Sequence, residues 1–478
     1  MFRTMLRLLC LLGVLCAQVG VEGAPLAAHG AAPIPTPQPR VLPPARSAPP
    51  IGGRIPIGQA PGFATAANRP VRTPVLAYDA PHNRLAVAWL AWGADLANSY
   101  AGDVWVRVQG QGSAWEDAEA INLAPVRAYF GGLGLAWASD GTLVAAYGDG
   151  NGAIWLHERR QGRWSAPERL GSGQLSALQT DAGGTLHALI ISGRAVVQGQ
   201  PRYGVRGADG RWAWSDLPTG TSYNGQLALL PLPDAADTAP SQPRLRRFVL
   251  ISDATGEGHP LTLFRSDDGV RWTAIPMPLG CCLPRPEHPA ATSLLAAPGP
   301  NGVGVVAVAW SQPAGPGRVA GGVFAAVSID GGLSFGPEEV IAQHRADGSF
   351  ADGQGGTIGG FEPSLAYDRE IRQLAVSWVE DDLNQPGRSA SSSNRIVRTR
   401  LAGRALTPDT EGWTDAITPA AHDPLGPPVL TGWGVRGHLW GDAAGERHWL
   451  LAIDERNGQA RISVQPLDLP GLLVAVPS

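Results

Sequence analysis

From Val75 onward the apolar residues come in short runs, each broken by a polar turn that usually carries glycine. Leu76-Ala77-Tyr78-Asp79 followed by Leu85-Ala86-Val87-Ala88-Trp89 recurs, with the same gap, as Leu365-Ala366-Tyr367-Asp368 followed by Leu374-Ala375-Val376-Ser377-Trp378. Looser copies run Leu135–Tyr147 around Asp140-Gly141, Leu178–Ile190 around Asp181-Ala182-Gly183-Gly184, Leu294–Trp310 around Gly299-Pro300-Asn301-Gly302, and Leu439–Ile453 around Asp442. Runs this short, bounded by turn residues and without a 3.6-residue period, predict strand, turn, strand. Downstream of most copies lies a third apolar run and then a turn closed by an aromatic: Trp115, Trp164, Trp212, Trp272, Phe335 and Trp413. The predicted unit is therefore a four-stranded meander.

A single sheet of this size cannot bury both of its faces, so its copies must stack on one another around an axis. The expected fold is all-β, a single β-propeller of four-stranded blades. Seven units are counted, near 75–124, 129–173, 174–220, 221–280, 281–343, 359–420 and 432–471, with six blades as the alternative count. A β-solenoid would have shorter and more uniform repeats. Because the last unit lacks the turn-aromatic signature, the segment Ile57–Ala67 is expected to supply the strand that closes the ring.

Composition agrees with many turns: the chain has 62 Gly, 43 Pro and 16 Trp among its 478 residues. The formal net charge is −4, with no basic run, which argues against a nucleic-acid partner. All 37 basic residues are arginine, so neither a Walker-type phosphate loop nor a lysine Schiff base is available. Residues 1–23 combine basic residues, the short apolar core Leu8–Val14 and small residues near Gly23, the pattern of a signal peptide removed on export. Cys10 and Cys16 would leave with it, and the leucine before each is unlike a lipoprotein signal. Residues 24–56, rich in proline and alanine, read as an extended linker. Residues 57–478 read as the one propeller domain, secreted or periplasmic, with no membrane span and expected to be monomeric.

The stretch Ser328-Ile329-Asp330-Gly331-Gly332-Leu333-Ser334-Phe335 and the shorter Ser266-Asp267-Asp268-Gly269-Val270-Arg271-Trp272 resemble the Asp-box, or BNR repeat, of sialidase-like β-propellers. The resemblance implies that Ser266, Asp268, Ser328, Asp330 and Gly332 build turns and that Trp272 and Phe335 pack beneath them, without a chemical role. It also implies glycan chemistry. Sialidases grip the sugar carboxylate with three arginines, one in a Phe/Tyr-Arg-Ile-Pro motif, and attack with a tyrosine-glutamate pair. Arg54-Ile55-Pro56 matches three residues of that motif, with Gly53 in place of the aromatic. The family's nucleophile lies late in the chain, whereas here the only tyrosine after Tyr223 is Tyr367, whose repeat partner Tyr78 marks a framework position.

In a propeller, the loops between second and third strands and the links between blades share one face, where ligands usually bind. There the sequence places Glu380, Asp381 and Asp454 at the ends of second strands and Glu362 before a first strand. Such carboxylates can act as acid and base, or hold calcium with Asp347 and Asp352, or form a solvated rim. Arg127, Arg285, Arg318, Arg388 and Arg436 on the same face are candidates for gripping a carboxylate or sulfate. The loop histidines His259, His288, His422 and His438 have no zinc spacing, and no cofactor is expected. Cys281 and Cys282 are the only cysteines left after export. An oxidising compartment favours a vicinal disulfide, with a redox role or intermolecular pairing as alternatives. The reading is a module that binds a carbohydrate or a cell-surface protein; the alternative is an exo-glycosidase acting on terminal acidic sugars.

Overall fold

The computed structural model describes residues 55–60, 74–92, 101–109, 114–122, 126–127, 132–149, 151–193, 199–233, 244–253, 261–277, 292–299, 302–312, 322–343, 363–381, 394–395, 397–406, 412–414, 430–431, 437–442, 444–456, 459–467 and 469–474. Antiparallel strands in sequential order form seven blades. Blade one runs from Val75–Asp79 through Arg84–Trp92 and Ala101–Val108 to Glu119–Ala120, and blades two to five repeat this between 133 and 343. Blade six has three strands in its main sheet, Ser364–Asp368, Gln373–Asp381 and Val397–Ala405. The innermost strands of blade seven are Gly437–Gly441, His448–Arg456 and Gln459–Leu467. Its fourth strand is Ile55–Ala60, paired antiparallel to the third, with Ile55 opposite Val464 and Ala60 opposite Ala460. Ring closure by an N-terminal strand thus holds. The strand starts at Ile55, two residues inside the segment expected to be linker, because the register with the last blade continues through Pro56 on an outer edge where no N–H is required of it.

The core explains why the count is seven. The buried apolar residues fall into seven clusters, and each joins two neighbouring blades, including one of Leu76, Val87 and Trp89 with Trp449, Leu451 and Val464 that seats blade seven on blade one. The middle strands of a blade have a neighbouring blade on both faces, so their residues are apolar without alternation: Leu143–Gly148, the second strand of blade two, and Gly322–Ser328, the third strand of blade five, are buried throughout. The turn aromatics follow one rule. Trp115, Trp164, Trp212, Trp272, Phe335 and Trp413 each pack into the cluster shared with the preceding blade. Ion pairs follow it too: Arg159 of blade two reaches Glu116 and Glu119 of blade one, and Arg404 of blade six grips Glu339 of blade five with two bonds of 2.7 Å.

A six-residue helix, Leu469–Val474, ends the described chain. Leu469 and Leu473 enter the cluster of Ala366, Ala375, Leu401 and Leu439, so the helix seals the junction of blades six and seven. Gly403 lies beneath it, where an added Cβ would come within 3.0 Å of Leu473 and of the Gln373 amide oxygen.

Candidate functional site

One face of the ring gathers the turns between first and second and between third and fourth strands. Here the two serine-aspartate stretches close nearly the same hydrogen-bond pattern. Asp330 Oδ1 accepts from the backbone N–H of Leu333 at 2.9 Å and of Ser334 at 3.0 Å, and from the Ser328 hydroxyl at 2.6 Å. Ser328 Oγ in turn accepts from Gly332 N–H at 2.8 Å. Asp268 accepts from Val270 and Arg271 N–H at 2.8 Å, and Ser266 from Gly269 N–H at 2.8 Å. Backbone N–H groups hold the Asp268 carboxyl down at about 2. For Asp330 burial pulls upward, but bonds from Ser328, Ser334 and the turn N–H groups outweigh it and bring the carboxyl to about 2. Gly331 and Gly332 both have positive φ, 73° and 78°, as the turn requires.

Between blades three and four runs a buried chain of polar groups that sequence reading missed. Arg247 Nε donates to the Tyr203 hydroxyl at 2.7 Å, Tyr203 donates to His187 Nδ1 at 2.5 Å, and His187 Nε2 donates to Asp181 at 3.1 Å. Burial pushes Tyr203 up to about 12 despite Arg247 beside it, so this tyrosine is a neutral donor and not a nucleophile. Burial likewise raises Tyr147, which meets His157 Nε2 at 3.2 Å, and raises Tyr367, which is 2% exposed in the core between blades five and six. A histidine and a tyrosine on adjoining strands of one blade, diagonal to one another and two residues out of register, was the available signal.

On the opposite face lie the described candidates, Arg127, Glu380, Asp381 and Asp454. Register pairs Ala101 with Arg127 and Gly102 with Val126, so the link after blade one is laid along the start of its own third strand. Asn122 ties that corner together, donating to Asp103 at 3.0 Å and accepting from Val104 N–H at 2.7 Å. Glu380 and Asp381 end the second strand of blade six, opposite Arg398 and Val397, and Asp454 lies on the second strand of blade seven opposite Arg461. These carboxylate positions are thus on adjacent blades, each of Glu380 and Asp454 with an arginine as its cross-strand neighbour. Glu362, Arg285, Arg318, Arg388, Arg436, Asp347, Asp352, Cys281 and Cys282 lie outside the described residues, as do residues 1–54. The match Arg54-Ile55-Pro56 leads into the outer strand of blade seven and not the inner strand of blade one, which separates it from the central channel. Among the described residues no group of three or more His, Cys, Asp or Glu suits a metal ion, and no helix is long and apolar enough to cross a membrane.

No family model and no curated protein matches the sequence. Among solved structures the chain is similar to AofleA from Arthrobotrys oligospora, with a TM-score of 0.42 and 12% identity over 77% of this chain and 91% of that one. It is similar to the Aleuria aurantia lectin AAL, crystallised as an N224Q mutant with Fucα1-6GlcNAc, at a TM-score of 0.40 and 13% identity over 73% and 98% of the two chains. The NanB sialidase from Streptococcus pneumoniae gives a TM-score of 0.42 and 12% identity over 86% and 70%.

Proposed function

We propose that this chain is an exported, sialidase-like propeller that binds glycans carrying an acidic group and does not cleave them. The observation that carries the second half is Tyr367. It is the only tyrosine after Tyr223, and it is 2% exposed inside the interface of blades five and six, on a framework strand whose copy in blade one bears Tyr78. A late tyrosine nucleophile of the sialidase type would have to reach solvent at the channel. The first half is supported by reading the two serine-aspartate turns as Asp-boxes, and by an arginine-bearing, lysine-free loop face. Guanidinium groups bind carboxylates and sulfates through paired donors, and Arg127, next to the Asp103–Asn122 corner, is the described member of that set.

A glycan array probed with the purified protein, with a fluorogenic sialoside assayed in parallel, tests this. The expected result is binding confined to sialylated, uronate or sulfated glycans, weakened about tenfold by Arg127→Ala, as loss of one charge-assisted contact would give, and no released fluorophore. Turnover of the sialoside would overturn the reading, as would a preference for neutral glycans.

A further inference from the structure

We propose a second ligand site, on the turn face between blades six and seven: a cavity of about 450 Å³ that takes the guanidinium or ammonium group of a small organic cation onto Asp368. The inference rests on comparing two copies of one repeat. In blade one, Asp79 ends the first strand, is 4% exposed, and is neutralised within its own turn by Arg84, at 2.5 and 3.0 Å, and by His82 at 2.9 Å. Arg84 also lies over the Trp137 ring at 4.4 Å, which fills the space toward blade two. In blade six, Asp368 holds the matching position and is also 4% exposed, but Ile371 stands in place of His82 and Gln373 in place of Arg84. Gly441 ends the first strand of blade seven, as Trp137 ends that of blade two. The arginine and the tryptophan above it are both absent; the His448 ring lies 3.3 Å from where a side chain on Gly441 would begin, and beside it a cavity opens at the junction.

The polar groups around that cavity are unbalanced. Asp368 Oδ1 accepts from Glu370 and Ile371 N–H at 2.9 and 3.0 Å. Oδ2 accepts no hydrogen bond from the described residues; its nearest charged neighbour is His448 Nδ1, 3.6 Å away, while His448 Nε2 donates to the Tyr367 carbonyl at 3.0 Å. Across the strand from Asp368, behind the cavity lining, the Gln373 amide oxygen is buried without a partner among the described residues. A buried carboxylate oxygen that accepts no hydrogen bond and has only the His448 ring at 3.6 Å is incompletely satisfied, and an N–H-bearing cation relieves that cost. Glu370 and Glu446 add negative charge, against Arg369, whose guanidinium is 65% exposed and 3.9 Å from Glu446 at the mouth. Leu467 and Pro470 supply an apolar wall for an alkyl stem. A calcium or magnesium ion does not fit, since it takes six or more oxygen ligands, and among the described residues no group of three or more His, Cys, Asp or Glu suits another metal ion. The site faces away from the proposed glycan face and does not depend on it.

Isothermal titration calorimetry of the full chain with n-butylguanidinium, with a capped Gly-Arg-Gly tripeptide, and with n-butanol as the uncharged control tests the site. Saturable one-to-one binding of n-butylguanidinium is expected, with none of n-butanol. Asp368→Asn should weaken it at least tenfold. Gln373→Arg, which restores the residue blade one carries, should abolish binding and raise the melting temperature, and this variant decides the matter if Asp368→Asn fails to fold. Binding of the tripeptide as well would identify a polypeptide side chain as an acceptable source of the cation; binding of n-butylguanidinium alone would restrict the site to small free cations. No saturable binding of either cation, or unchanged affinity in Gln373→Arg, would overturn the proposal.

Discussion

Four donors converge on the Asp330 carboxylate, two from backbone and two from serine hydroxyls, although the group sits at the surface of the turn. Asp330→Ala should lower the unfolding free energy by about 1 kcal/mol, a figure kept small because solvent still screens a half-buried carboxylate. The sign of its pH dependence follows from a folded-state value of about 2, below the ordinary aspartate value of 3.8. The stabilisation is complete above about pH 4 and is lost as pH falls toward 2. Urea titrations of wild type and Asp330→Ala between pH 6 and 2 should therefore converge on acidification; a constant gap would refute the assignment. At Gly332 the constraint is steric: φ is 78° and an added Cβ would lie 2.3 Å from the Phe248 ring. Gly332→Ala should cost about 1–3 kcal/mol, more than the aspartate it adjoins, by overpacking and strain together. Equal melting of the alanine variant and wild type would count against that close packing. Turns such as these were legible from residue types, because serine, aspartate and glycine have specific backbone roles. The Asp181–His187–Tyr203–Arg247 chain was not, because its members come from two blades and their meeting depends on the stacking of sheets.

At the scale of the strand and the blade, the repeat rhythm was legible because every blade buries both faces of its second strand, which leaves an uninterrupted apolar run in the sequence. Blade limits read from the runs at Leu76, Leu135, Leu178, Leu294 and Leu365 fall on the observed first strands. The packing of each turn aromatic onto the preceding blade was not legible, since the sequence gives the residue but not which neighbour it meets. Closure depends on Ile55–Ala60, whose five paired residues are the outer edge of blade seven. A chain starting at Pro74 should melt well below one starting at Pro50, since only the former lacks this strand and leaves the third strand of blade seven as an unpaired edge. Equal melting temperatures would mean that the ring closes without it.

For the whole molecule, seven core clusters at seven junctions mean that no blade is stable by its own packing alone, so the ring is expected to unfold as one unit. The loop face is where sequence reasoning placed function. It was legible as a set of loops and not as a site, because loop residues are fixed by long-range geometry that short runs do not encode. Register sets Arg127 opposite Ala101 at the start of the third strand of blade one, and sets Glu380 and Asp454 on adjacent blades, opposite Arg398 and Arg461. Hydrolysis of a glycosidic bond would need two such carboxylates about 5–10 Å apart across a pocket.

The most direct test of binding without cleavage is saturation-transfer NMR of the purified chain with sialyllactose, followed over a day in one tube. Transfer to the sialic acid protons, with the signals of the intact trisaccharide unchanged throughout, is the predicted result. Growth of free sialic acid signals, or the absence of transfer to this and to sulfated or uronate-bearing glycans, would contradict it.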